Sequence, residues 1–359
     1  VLVVSANGGS SDPFELAAYL DLLADDGYGN FRDVLYKMAL SPAMGEYLSH
    51  LRNDGGSAQP NENFAREILQ LFGVGLVMLN PDGTPTTTPA YDENTVKGFA
   101  KVFTGFAFDD PYCRANDVSD PTYAVPLSSC LDGYGDKHPS WYWSPNRDDL
   151  GANFPPKLAG WARSMVPFPG KHSKLDKQLL KYNTYPSAVA SCSAAITRAS
   201  TGQGLLPALT SAPTPNPDLP GIDEVTGLAV TTGTRTNRTQ AYFSVNQAID
   251  NIFCHPNVGP FISKHLIKFF VTSTPTPAYV GRVAAVFDNN GAGVRGDMQA
   301  VIRAVLLDDE AVVPATVLTT APELMKFAKL REPILRLSAI FRAFNGTATS
   351  GRYKLHYGL

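Results

Sequence analysis

The stretch from Pro60 to Gly73 constrains this chain more than any other. At about 100° per residue, Phe64, Ile68, Leu71 and Phe72 gather on one side of a helix, and Asn63, Arg66, Glu67 and Gln70 gather on the other. Such a rod has to lay its apolar side on other elements, which makes it the expected centre of a helical packing. Asn61 or Asn63 can accept a hydrogen bond from a first-turn N–H, and Glu62 puts negative charge at the positive end of the dipole. Gly73 is expected to end the helix in the left-handed conformation. The polar side admits two readings. It is a face turned to water, or its amides, guanidinium and carboxylate converge on one spot.

The same helical period recurs on both sides of this stretch. Phe14, Leu16, Ala17, Leu20 and Leu23 form an apolar side after Asp12 and Pro13, and Phe31, Val34, Leu35 and Met38 form another after Asn30. Met44, Tyr47, Leu48 and Leu51 follow Pro42, with His50 near the end, where a solvated or capping histidine is expected. Val74 to Leu79, followed by Asn80, Pro81, Asp82 and Gly83, predicts a small hairpin with a type I turn. Helices are predicted at 92–103, 186–199, 242–253, 257–270, 277–287, 297–307 and 331–344. The fold class is mainly α: a multi-helix bundle with a small β-hairpin and long irregular insertions. Its parts are a helical portion at 1–105, an irregular aromatic and Pro-rich lobe at 106–170, and the remainder of the same domain at 171–199 and 241–344. A Thr/Pro/Gly-rich insertion at 200–240 and a tail at 345–359 complete it.

With 44% hydrophobic and 18% charged residues, the chain has ample material for a core. A net charge of −3, with no run of like charge, leaves no electrostatic footprint for a polyanion, which excludes nucleic acid as the main partner. No apolar run reaches the roughly 18 residues of a transmembrane helix. Four cysteines allow three pairings, and none has a CxxC spacing. Cys113 and Cys130 flank a polar loop, as a loop-closing bridge would, and Cys192 and Cys254 are a second candidate pair. Bridges point to an oxidising compartment, and Asn237 and Asn345 begin glycosylation triplets, so a secreted or cell-surface protein is expected.

Several constellations compete for chemistry. Asp288, Asn290 and Gly293 fall on the first, third and sixth positions of a calcium loop, but Ala292 and Gln299 miss the fifth and twelfth, so a glycine-rich turn between helices is expected. Arg295, Gly296 and Asp297 spell an adhesion tripeptide in which Asp297 also suits a helix cap. Trp141 and Trp143 share one side of an extended segment, where indoles can stack on sugar rings or form a miniature core. The histidines form no HExxH or HxxxH spacing, and no GxSxG or phosphate loop occurs, so no metal or cofactor is expected.

Five blocks together resemble the exported family known as domain of unknown function 1800. They are Pro60 to Phe72, Gly98 to Gly105, His255 to Ile262, Asn290 to Asp297 and Leu330 to Leu337. The resemblance implies an exported α-helical protein, with a histidine-bearing aromatic segment ahead of these blocks. It also implies a histidine and lysine pair in a short turn. His172 and Lys177 match that pair, while Ser173 and Leu175 depart from the usual Asp and Gly.

Two functional readings follow. In the first, a secreted or cell-surface protein binds a polysaccharide or assembles with extracellular subunits, with Asn61, Asn63, Lys177, His255, Trp141 and Trp143 as binding residues. In the second, an extracellular hydrolase uses Glu67 as acid or base, Arg66 to position substrate, and His172, Lys177 or His255 to complete the site.

Overall fold

A computed structural model describes residues 4, 13–57, 59–107, 164–167, 171–182, 192, 205–206, 238–312, 333–344 and 346. Its helices are α1 (Pro13–Asp26), α2 (Phe31–Ala39), α3 (Pro42–Tyr47), α4 (Asn63–Gln70) and α5 (Glu93–Val102), then α6 (Arg238–Phe253), α7 (Val258–Phe270), α8 (Pro277–Asp288), α9 (Met298–Leu307) and α10 (Pro333–Ala343). The fold is mainly helical, and among the described residues no helix is long and apolar enough to cross a membrane.

Side-chain caps set where several of these helices begin. Asn30 accepts from the Arg32 N–H, Asp92 from the Thr95 N–H, Thr276 from the Tyr279 N–H and Asp297 from the Ala300 N–H. The apolar stripes that follow make one continuous core. Helix α4 lays Phe64, Ala65, Ile68 and Leu69 into it and packs on α5; α5 packs in turn on α6, and α2 packs on α6 from another side. Helices α7, α8 and α9 pack on one another.

The strands are short. β1 (Val77–Leu79) pairs antiparallel with β2 (Pro85–Pro89), and the Gly83 N–H donates to the Asn80 carbonyl at 2.9 Å to close the expected turn. β3 (Phe106–Ala107) pairs with β4 (Val166–Pro167), which brings together the two ends of the 106–170 stretch. β5 (Lys177–Gln178) pairs with β6 (Leu205–Leu206).

Several expectations change in three dimensions. Leu71 is exposed and Leu69 buried instead, because the buried arc runs from Phe64 through Ile68, Phe72 and Ala65 to Leu69 and leaves Leu71 at its edge. Gly73 is not left-handed; a Cβ there would stand 2.7 Å from the Ile68 carbonyl and 2.8 Å from Ile252, so close approach of α6 demands the glycine. Gly75 is the left-handed residue, with φ 76°. On α1, Leu20 faces outward while Glu15 and Tyr19 turn inward. His50 does not meet water: it lies in the core, stacked on Phe64 with ring centroids 3.8 Å apart, and its Nε2 donates to the carbonyl of Ala39 at the end of α2, at 2.9 Å. Phe270, expected inside, stays exposed at the end of α7. The helix expected at 242–253 starts earlier, at Arg238. Cys113, Cys130, Trp141, Trp143, Asn237 and Asn345 lie outside the described residues, as does the helix expected at 186–199 apart from Cys192.

Candidate functional site

The polar side of α4 is neither bare nor convergent. The Arg66 guanidinium donates to Glu62 at 2.7 Å and to Glu93 of α5 at 2.6 Å, so it is committed to those two carboxylates. Asn61 accepts from the Asn63 N–H at 2.9 Å, and Asn53 clasps the Asn61 backbone through both its amide atoms. Asn63 itself points outward. Glu67 is the exception on this face, because its Oε2 is buried without a hydrogen-bond partner among the described residues. Burial pushes the nearby Tyr91 hydroxyl up, opposed by Arg66 and reinforced by Glu67.

His172 sits on the far side of α5, within a dense junction. Its Nδ1 lies 2.8 Å from the Thr104 carbonyl, which can only accept, so Nδ1 carries the proton. Nε2 is therefore the acceptor and takes the Ser244 hydroxyl of α6 at 3.2 Å. A hydroxyl on a ring nitrogen whose other nitrogen is oriented by a third group has the form of a nucleophile and base. Its surroundings give it another use. Both residues are buried, and burial, followed by the Lys177 charge, brings the imidazole down to about 3, so the ring stays neutral.

Lys177 is fully buried and donates to the carbonyls of Ser173 at 2.7 Å and Leu175 at 3.2 Å, with its pKa lowered to about 8 chiefly by burial. Two glycines let this segment dock on α5. A Cβ at Gly98 would stand 1.8 Å from the Gln178 carbonyl, and one at Gly105, where φ is 82°, would stand 2.6 Å from the His172 nitrogen. The block from Gly98 to Gly105 is therefore the seat for residues 171–178.

The turn between α6 and α7 is a second junction. Asn257 donates to the carbonyls of Val74 and Val77 and accepts from the Leu79 N–H, which ties the hairpin to α7. His255 Nδ1 accepts from the Asn257 N–H at 3.1 Å; its Nε2 is buried without a hydrogen-bond partner among the described residues, and the Tyr182 ring stands 4.9 Å away edge-on. Burial, then the Arg295 charge, lowers this ring to about 3. Arg295 is itself buried between Phe253 and Phe287. It donates to the carbonyls of Phe253 and His255 and forms an ion pair with Asp288. Cys254, between those two carbonyls, is bridged to Cys192 across a separation of 62 residues.

The adhesion-like tripeptide is thus folded inward at Arg295, and Asp297 caps α9. In the calcium-like loop, the oxygens of Asn289 and Asn290 accept from backbone N–H groups of the loop itself, and Asp288 faces Arg295. Among the described residues no group of three His, Cys, Asp or Glu side chains could hold a metal.

The structure gathers His172 with Lys177 and places His255 elsewhere; no hydrogen bond joins Arg66 or Glu67 to any of the three among the described residues. Sequence reasoning missed Thr104, Ser244, Asn257 and the burial of Arg295. Asn257 and Arg295 carried a signal, since each stands in a compact block of Gly, Pro and polar residues; Ser244 carried none.

No curated protein and no solved structure matches this chain. The family model described as Protein of unknown function (DUF1800) matches residues 1–213 and 222–356. The blocks that build the two junctions all fall inside that match, and the chain belongs to the DUF1800 family.

Proposed function

We propose that the chain is an exported scaffold that works by assembly, pairing with a second copy of itself at the cell surface. One observation carries this reading: the pole where α7 and α9 end. The Thr276 hydroxyl at the start of α8 donates to Glu310 just past α9, at 2.8 Å, which sets the ends of α7 and α9 on one side. There Phe269, Phe270, Leu306 and Leu307 are all exposed, Leu307 to 62%. Adjacent large apolar side chains at one pole are the mark of an interaction surface.

Exposed Lys268 and Arg303 stand at this pole with exposed Asp309, so it carries both signs of charge. A two-fold contact can set one copy's base against the other's acid while the Phe and Leu side chains are buried between them. The buried Cys192–Cys254 bridge supports export. A hydrolase would need Glu67, Arg66 and a histidine at one place, and both candidate histidines are instead held neutral in the interior.

Sedimentation velocity tests the reading. The full chain is expected to sediment as a dimer at micromolar concentration, and Phe270→Glu with Leu307→Glu to sediment as a monomer of unchanged circular dichroism. A wild-type monomer up to hundreds of micromolar would end it.

A further inference from the structure

The helix α10 opens a stretch that carries positive charge alone. The protein as a whole is acidic, at −3, yet from Pro333 to Leu359 it has Arg336, Arg342, Arg352 and Lys354 and no Asp or Glu. In α10 the side chains of Leu337, Ser338 and Phe341 are half-buried, which fixes the inward face. The exposed arc is made by Leu335, Ala339, Ile340, Ala343 and the following Phe344, with Arg336 falling between Ala343 and Ile340. Leu335 is 42% exposed, Ile340 54% and Phe344 81%. Arg336 and Arg342 are exposed on the same outward side, and neither has a carboxylate partner among the described residues.

We propose that this face of α10 docks on an anionic lipid bilayer, lying in the plane of the headgroups. An apolar strip interspersed with cations that no described carboxylate neutralises is complementary to a surface with hydrocarbon below and negative charge above. The long arginine stems can run along the apolar strip while the guanidinium groups stay at the phosphates. A second copy of α10 fits less well, because pairing the strips would bring arginines of like charge together. A soluble anionic polymer would meet the arginines but leave Ile340 and Phe344 in water. The α7 and α9 pole differs in kind, since acidic Asp308, Asp309 and Glu310 border it. The inference is independent of self-association, although both place the chain at a cell surface.

Vesicle flotation with the full chain tests it. Vesicles of phosphatidylcholine with about a third phosphatidylglycerol should carry the protein upward, and pure phosphatidylcholine vesicles should not. Arg336→Glu with Arg342→Glu should weaken binding at least about tenfold, as should Ile340→Asp with Phe344→Asp, and raised salt should weaken the wild type. Thermal melting and sedimentation are run on each variant; α10 sits at the surface, so both pairs should melt with the wild type and keep its oligomeric state.

Absence of binding to the anionic vesicles overturns the proposal. So does equal binding to neutral vesicles, or binding that survives both variant pairs. Equal affinity for soluble dextran sulfate, with no loss in the Ile340 and Phe344 pair, overturns it in favour of a polymer. A monomeric wild type that still floats would sink the dimer reading alone, and a dimer that fails to float would sink this one alone.

Discussion

At the scale of single residues, the polar groups that the sequence singles out divide by what surrounds them. Arg66 is spoken for by two carboxylates at the surface, and with its side chain 43% exposed neither pair contributes much to stability. His172 is the opposite case. It links the end of α5, the 171–178 segment and α6 through two hydrogen bonds within a closed interior. His172→Ala should therefore lower stability by about 2–4 kcal/mol, through a cavity and an orphaned Thr104 carbonyl, whereas Ser244→Ala should lower it by only about 1 kcal/mol. Urea midpoints decide between these magnitudes. Equal losses for the two would mean that the hydroxyl, and not the ring, holds the joint.

At the scale of elements, the turn after α6 is held from three directions. Asn257 ties it to the hairpin, Cys254 to Cys192, and Arg295 to the loop that follows α8. Arg295 is the sensitive member, because its removal strands the Asp288 carboxylate and two carbonyls together. Burial already pushes the Asp288 pKa up against the pull of Arg295. Arg295→Ala should cost about 3–5 kcal/mol, and Arg295→Met combined with Asp288→Asn distinctly less, since the double change leaves no unpaired buried charge. Chemical denaturation of the two proteins checks the order; a double variant as weak as the single one would show that the carbonyl bonds matter more than the ion pair.

At the scale of the whole molecule, three buried imidazoles make stability depend on pH. His50 is lowered to about 4, His172 to about 3 and His255 to about 3, in each case chiefly by burial. Below pH 6.5 the unfolded chain takes up protons that the folded chain refuses. Their contribution is thus complete above about pH 6.5 and is lost as pH falls toward 4 and then 3. Together they should steepen the decline by about 4 kcal/mol per pH unit between roughly pH 5.5 and 4, or about 1.4 per imidazole. Urea midpoints measured across that window check the slope, and His172→Gln should remove about a third of it.

The sequence by itself determined the helices, because apolar residues at a helical period and side-chain caps such as Asp92, Thr276 and Asp297 are local facts that any packing must respect. It also determined the hairpin, whose turn lies in four consecutive residues. Tertiary structure alone decided what the polar residues do. Whether Arg295 reaches a receptor or a carbonyl, whether Lys177 meets water, and why Gly73 and Gly98 are glycines all depend on segments distant in the chain. Contacts of that kind leave no period in the sequence, since the partner of Gly98 is Gln178 and the partner of His172 is Ser244.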